Sequence, residues 1–297
     1  MDNLPFHDLH VHFGGSIPVE VVWEFLKEDG KQFGSIDVLH KMMTYKYDHA
    51  PYGFEHFLRK FDVLNMIHWT EDRIAHTANA VAEHLANQRI KYAEIRFSIN
   101  KYTEYLGMNN KEVTLFMCNR LRDASKRFNV QMVPILCVKY ENDHDQQSDV
   151  MNLIDDQDVA DNVSGLDLVG DERFFDADYY SPVFAEWKKH GRILMAHVGE
   201  SQTSENVKLA IEKMKVHRIS HGIKVADDLE IMKLANDNNV AFDVALTSNL
   251  KTGVVSDLRT HPILRMLEAN CTISLGTDDP IILDTTIEHE YKIAKDI

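Results

Sequence analysis

The chain has 297 residues, 44% of them hydrophobic, and its 47 Asp and Glu against 32 Lys and Arg give a formal net charge of −15. That balance argues against sequence-independent nucleic-acid binding, which neutralises phosphates with clustered Lys and Arg, and against docking on an anionic membrane. The length suits one large domain, since a barrel of eight β/α units takes roughly 250 residues, and an acidic protein suits a small neutral or metal-chelated substrate.

The chain opens MDNLPFHDLHVHF, with no basic stretch ahead of an apolar run, so no secretory leader is expected. Strand-like runs follow at 8–13, 92–98, 131–138, 164–170, 193–199, 218–222, 240–247 and 272–276. Helix-like stretches such as 71–88 and 111–128 lie between them, with apolar residues three and four apart. Eight strands alternating with helices predict an α/β fold, a (β/α)8 TIM barrel. The alternative is an open doubly wound sheet, but the first strand leads into Gly14-Gly15-Ser16, which is no phosphate-binding fingerprint. About eighty residues separate the first two strands, with Phe54, Phe57, Leu58 and Phe61 at helical spacing. They read either as a helix packed on the barrel wall or as a flap roofing the active site. No run of about 18 apolar residues occurs, so no transmembrane helix is expected. Cys118, Cys137 and Cys271 lack metal-ligand spacing, which predicts free core thiols and a cytoplasmic setting.

Barrel enzymes carry their chemistry at the carboxyl ends of the strands, and here those ends are polar. The first closes on His10-Val11-His12, two imidazoles on the same side of a strand. With 16 histidines in 297 residues, chance alone gives about one such pair, so the position carries more weight than the spacing. The fifth run ends in His197-Val198-Gly199-Glu200, the sixth in His221-Gly222, and the eighth leads into Asp278-Asp279-Pro280. The aspartates read as a helix cap or, facing three histidines across a barrel mouth, as like charges that need a cation beside them. Imidazole nitrogen and carboxylate oxygen suit zinc, with iron, manganese or cobalt open on ligand type. An acid three residues from an imidazole ligand suits Lewis-acid hydrolysis with a proton donor.

Nine segments in order carry a family resemblance. They are His10-Val11-His12 with Gly15-Ser16-Ile17; Phe57-Leu58-Arg59-Lys60-Phe61; Tyr92-Ala93-Glu94-Ile95-Arg96; and Asp167-Leu168-Val169-Gly170-Asp171-Glu172. Then come His197-Val198-Gly199-Glu200; Arg218-Ile219-Ser220-His221-Gly222; Thr247-Ser248-Asn249 with Thr252-Gly253; His261-Pro262; and Thr277-Asp278-Asp279-Pro280. Together they resemble the adenosine deaminase family of the amidohydrolase group. The resemblance implies one zinc ion per chain held by His10, His12, His197 and Asp278. It implies that Glu200 protonates purine N1, and that His221 acts as a base or as an electrostatic partner of the attacking hydroxide. Asp279 would orient that hydroxide and contact the purine, Gly170 would meet the purine edge, and Phe57, Leu58 and Phe61 would form an apolar lid. The implied reaction turns a 6-aminopurine nucleoside or related adenine derivative into the 6-oxo product and ammonia, on a single metal-dependent barrel domain spanning 1–297.

Three departures stand out. The family's acid that meets the ribose 5′ hydroxyl is replaced by Gly14, which implies a substrate with a phosphate, a larger 5′ group or an N6-substituted nucleotide. The usual alanine after the fifth-strand histidine is Val198. The chain reaches Ile297 soon after its eighth strand, which implies an abbreviated last helix or a shortened chain. Two other readings are a related amidohydrolase acting on a different purine or amide, and a non-catalytic binding protein. Glu200 and the Thr-Ser-Asn segment favour a purine, and the full set of ligands, acids and bases disfavours loss of catalysis.

Overall fold

Eight runs of apolar and β-branched residues form one parallel sheet in strict chain order, β1 to β8. They are β1 Phe6–His12, β2 Ile90–Phe97, β3 Gln131–Lys139, β4 Gly165–Val169, β5 Ile193–Val198, β6 Arg218–His221, β7 Ala241–Val244 and β8 Thr272–Leu275. The structure is a computed structural model that describes residues 4–45, 53–140, 148–150 and 152–297; the first three residues of the segment read for a leader lie outside these. Parallel strands need crossover helices on the outside, so the expected (β/α)8 TIM barrel follows.

The ring closes just beyond β8. The Asp278 N–H donates to the His10 carbonyl at 2.7 Å, and the His12 N–H donates to the Asp278 carbonyl at 2.8 Å, with a parallel bridge between Val11 and Asp278. Closure therefore places the two first-strand imidazoles beside a carboxylate from the far end of the chain. Most strand ends lie within two residues of expectation, and two differences matter for the site. β1 starts at Phe6, ahead of residue 8. β7 ends at Val244 because Leu246–Lys251 is already helical; the apolar run 240–247 holds no period change that would mark the switch.

The wall is apolar, with Val11, Ile95, Leu136, Leu168, Ala196, Ile219 and Phe242 buried. Below the mouth the interior is charged. The buried Arg96 donates to Asp167 at 2.5 Å, to the Leu9 carbonyl at 2.6 Å and to Asp243 at 3.2 Å, and Arg218 pairs with Glu94. Buried charges persist only when paired in this way.

Among the described residues of the connection after β1 lie four α-helices: α1 Val19–Glu28, α2 Ile36–Met43, α3 Phe54–Arg59 and α4 Glu71–Asn87. In α4 the Thr70 hydroxyl accepts the Arg73 N–H at 3.3 Å, Glu71 and Asp72 face the positive helix start, and Ile74, Ala78, Val81 and Leu85 form the buried stripe. The helix Asn110–Phe128 opens on a reciprocal cap between Asn109 and Glu112. α3 ends at Arg59, so Phe61 lies on the turn after it, where its ring meets that of the buried Phe57 edge-on at 5.5 Å. Cys118, Cys137 and Cys271 are free and buried. Among the described residues no helix is long and apolar enough to cross a membrane.

Candidate active site

At the closure seam the Nε2 atoms of His10 and His12 lie 3.3 Å apart, and each approaches Nε2 of His197, at the end of β5, to 3.1 and 3.2 Å. Asp278 Oδ1 stands 3.3 Å from both His10 and His12 Nε2. These five separations of 3.1–3.3 Å, with the His197–Asp278 pair wider, draw the four atoms around one point roughly 2 Å from the donors, close to the length of a zinc–nitrogen or zinc–oxygen bond.

Three of the four donors are shifted in the direction that suits a cation. Burial, with the Arg96 charge behind it, holds His10 well below its usual value, and burial brings His12 down to about 3 against the pull of Asp278. His197 Nδ1 lies 3.2 Å from Asp167 Oδ1. Burial would raise Asp167, but His197 and Arg96 outweigh it and keep the group a carboxylate. His197 therefore donates through Nδ1 and turns the Nε2 lone pair to the cluster. Asp278 is likewise held well below the carboxylate range, with burial overcome by His10, His221 and His12; its Oδ2 accepts the Ser248 hydroxyl proton at 2.7 Å. Three imidazole nitrogens and a carboxylate oxygen converge on one point, so these residues fit a metal ion.

Around the cluster stand two acids of opposite character to Asp278. Asp279 is pushed well up by burial and by the adjacent Asp278 charge, and its buried Oδ1 has no partner among the described residues. A Cβ at Gly15 would lie 1.7 Å from that oxygen, so only glycine lets Asp279 occupy its place. Glu200 is raised by burial first, then by Asp278 and Glu172. Glu172 fixes the Glu200 backbone: the N–H groups of Gly199, Glu200, Ser201 and Gln202 donate to its carboxylate at 2.6, 3.2, 2.9 and 2.9 Å.

The tautomer of His221 follows from a chain of hydrogen bonds that starts at a group able only to donate. The Ile263 N–H donates to His261 Nδ1 at 3.1 Å, which leaves the His261 proton on Nε2. That proton goes to Asn249 Oδ1 at 3.2 Å, and the Asn249 amide then donates to His221 Nδ1 at 3.2 Å. His221 thus carries its proton on Nε2, 3.8 Å from both Glu200 Oε2 and Asp278 Oδ2. Burial lowers this ring to about 4. Both His221 and Asp278 hold left-handed backbone, at φ 63° and 61°, a strain of about 1–3 kcal/mol each that is characteristic of functional sites.

All of this opens into a cavity of about 560 Å³ whose wall includes His12, His197, Glu200, His221, Asp278 and Asp279. Gly170 just after β4, the apolar residues Phe54, Phe57, Leu58 and Phe61, and Cys137 line it too, as do Lys101 and Lys139. His10 lies behind the wall and is fully buried. Sequence reasoning gave no function to Arg96, Asp167, Glu172, Asn249 or His261, although the segments that hold them were noted. A carboxylate between two strand leucines, Leu166-Asp167-Leu168, was a readable signal of an interior charge in need of a partner.

A family model described as adenosine deaminase matches residues 5–297. A protein named adenosine deaminase from Clostridium botulinum is 27% identical over 290 residues, covering 98% of this chain and 87% of that protein. An amidohydrolase from Burkholderia ambifaria, solved with bound Zn, shares the fold at a TM-score of 0.86 and 20% identity, covering 98% of this chain and 80% of that one. An Arabidopsis protein solved in complex with IMP does so at a TM-score of 0.82 and 20% identity, covering 98% and 85%. The chain belongs to the adenosine deaminase family, and it is a hydrolytic deaminase built on a (β/α)8 barrel.

Proposed function

We propose that this protein, as a single domain spanning residues 1–297, converts a 6-aminopurine nucleoside or related adenine derivative to the 6-oxo product and ammonia, with one zinc ion held by His10, His12, His197 and Asp278. The observation that carries the reading is the convergence of three Nε2 atoms, 3.1–3.3 Å from one another, with one carboxylate oxygen 3.3 Å from two of them. The Zn in the Burkholderia ambifaria structure supports the choice of metal. When bound, zinc supplies a Lewis acid that lowers the pKa of water to about 7.

The chain's own residues then handle the protons. Glu200 is protonated chiefly because it is buried, a cause that remains when a cation offsets the Asp278 charge. It donates to purine N1 and makes C6 electrophilic. Water adds to C6, which becomes tetrahedral; one of its protons passes to N6 and the other returns to Glu200 as the C6–N6 bond breaks, leaving the 6-oxo product and ammonia. Asp279, with its unpartnered Oδ1, orients the attacking water and meets the purine. His221 acts as a donor through Nε2–H, so of its two expected roles the hydrogen-bond chain favours electrostatic partner over base. Gly170 meets the purine edge, and Phe57, Leu58 and Phe61 keep bulk water from the ring.

Two substitutions test these roles. Glu200→Gln should keep its zinc and lose about 10²–10⁴-fold in kcat, the contribution of a positioned proton donor. His197→Ala should lose the zinc itself, read by metal analysis of the purified protein. If both variants kept metal and most of their ammonia release, the assignment would be wrong.

A further inference from the structure

Resting on the deaminase reading above, we propose that the substrate is a nucleoside 5′-monophosphate whose phosphate is held by Lys101 and Lys139. With C6 at the metal cluster and N1 at Glu200, the N9 edge of the purine and whatever it carries face the rest of the cavity wall. That wall includes Gly14, Asn65, Ser98, Lys101 and Lys139. Gly14 leaves space there, since a Cβ would meet only Leu64 and Phe61, at 3.8 Å. Lys139 ends β3 and is exposed. Neither it nor the Ser98 hydroxyl has a hydrogen-bond or ion-pair partner among the described residues.

Lys101 is partly buried. Its Nζ donates to the Leu64 carbonyl at 2.5 Å and to Asn65 Oδ1 at 3.3 Å, and stands 5.2 Å over the Trp69 ring. An ammonium has three protons, so one is left for the cavity. The carboxylates on the cavity wall are Glu200, Asp278 and Asp279 beside the metal cluster and Asp62 next to the lid. None pairs with either lysine among the described residues. Burial and the Lys139 charge together bring Lys101 down to about 8. Two cations share a wall without a counterion among the described residues, in a chain whose net charge is −15. A dianionic phosphate would relieve that repulsion, take the free Lys101 proton and the Lys139 ammonium, and reach the Ser98 hydroxyl. A nucleoside would leave both lysines unmatched.

Calorimetric titration of the zinc-supplemented enzyme with IMP, inosine and inorganic phosphate tests this. The wild-type protein should bind IMP about 100-fold more tightly than inosine, the worth of one or two charge-assisted hydrogen bonds. That advantage should fall at least about 10-fold in Lys139→Gln and in Lys101→Gln, return in Lys139→Arg, and shrink at high salt. The exposed Lys139 can be changed without disturbing the fold, which covers the case in which Lys101→Gln is unstable. Equal affinity for IMP and inosine, an advantage that survives Lys139→Gln, or inorganic phosphate binding as tightly as IMP would each overturn the proposal. An ammonia assay with AMP and adenosine separates it from the deaminase reading. An IMP advantage without release of ammonia from any 6-aminopurine sinks the deaminase reading and keeps the phosphate subsite. Adenosine deaminated with a higher kcat/KM than AMP sinks the subsite and keeps the deaminase reading.

Discussion

A histidine near a metal is defined by which nitrogen holds its proton, and in this protein the choice is made several residues away. The Ile263 N–H begins a chain through His261 and Asn249 that ends at His221 Nδ1. Asn249→Asp reverses its last link, because a carboxylate accepts from both rings and draws the His221 proton to Nδ1. Metal content and KM should stay near wild type while kcat falls about 10–100-fold, and the 15N chemical shifts of His221 should exchange between the two nitrogens. Unchanged kcat with an exchanged tautomer would refute the donor role. The four residues proposed as ligands stand out in the sequence because they sit at or just beyond the ends of recognisable strands. Asn249, His261 and Glu172 do not, because each works through backbone N–H groups or amide orientation, which a residue's type and spacing do not reveal.

At the scale of elements, the seam between β1 and the residues after β8 both closes the barrel and assembles the site. Asp8 belongs to that seam. Its Oδ2 accepts the Thr277 hydroxyl proton at 2.6 Å, and its Oδ1 accepts the His10 N–H at 3.1 Å. Burial pushes it up to about 7, against the hydrogen bonds from Thr277 and His10 and the Arg96 charge. A carboxyl whose folded pKa exceeds its unfolded value of 3.8 favours the folded state most below pH 4, and that contribution disappears as pH rises through about 7. Asp8→Asn removes the ionisation and can still hydrogen-bond to Thr277. In chelator-treated protein, its unfolding free energy should gain on the wild type by up to about 4 kcal/mol between pH 4 and pH 8. Parallel stability curves would show that Asp8 does not titrate with folding. The strand–helix alternation was readable because each buried strand is short and ends in polar residues. The end of β7 was not, since Ala245 and Leu246 carry the apolar run straight into the helix, and no sequence period shows that β1 pairs with a residue as distant as Asp278.

For the molecule as a whole, four groups from the first, fifth and eighth strand ends converge on one site, so the proposed metal binding would be linked to folding. A metal that binds only the folded chain stabilises it by about 2.7 kcal/mol at one hundred times its dissociation constant. The remaining acid–base groups depend on the same closure, because Glu200, His221 and Asp279 are all placed relative to Asp278. The most direct measurement is the zinc content of the purified protein by mass spectrometry, taken alongside ammonia release from an adenine derivative before and after chelation. The predicted result is one zinc per chain, with activity and thermal stability lost together on chelation and restored together by zinc. Ammonia release that persists in a chain free of zinc, or a second equivalent that His197→Ala leaves untouched, would contradict it.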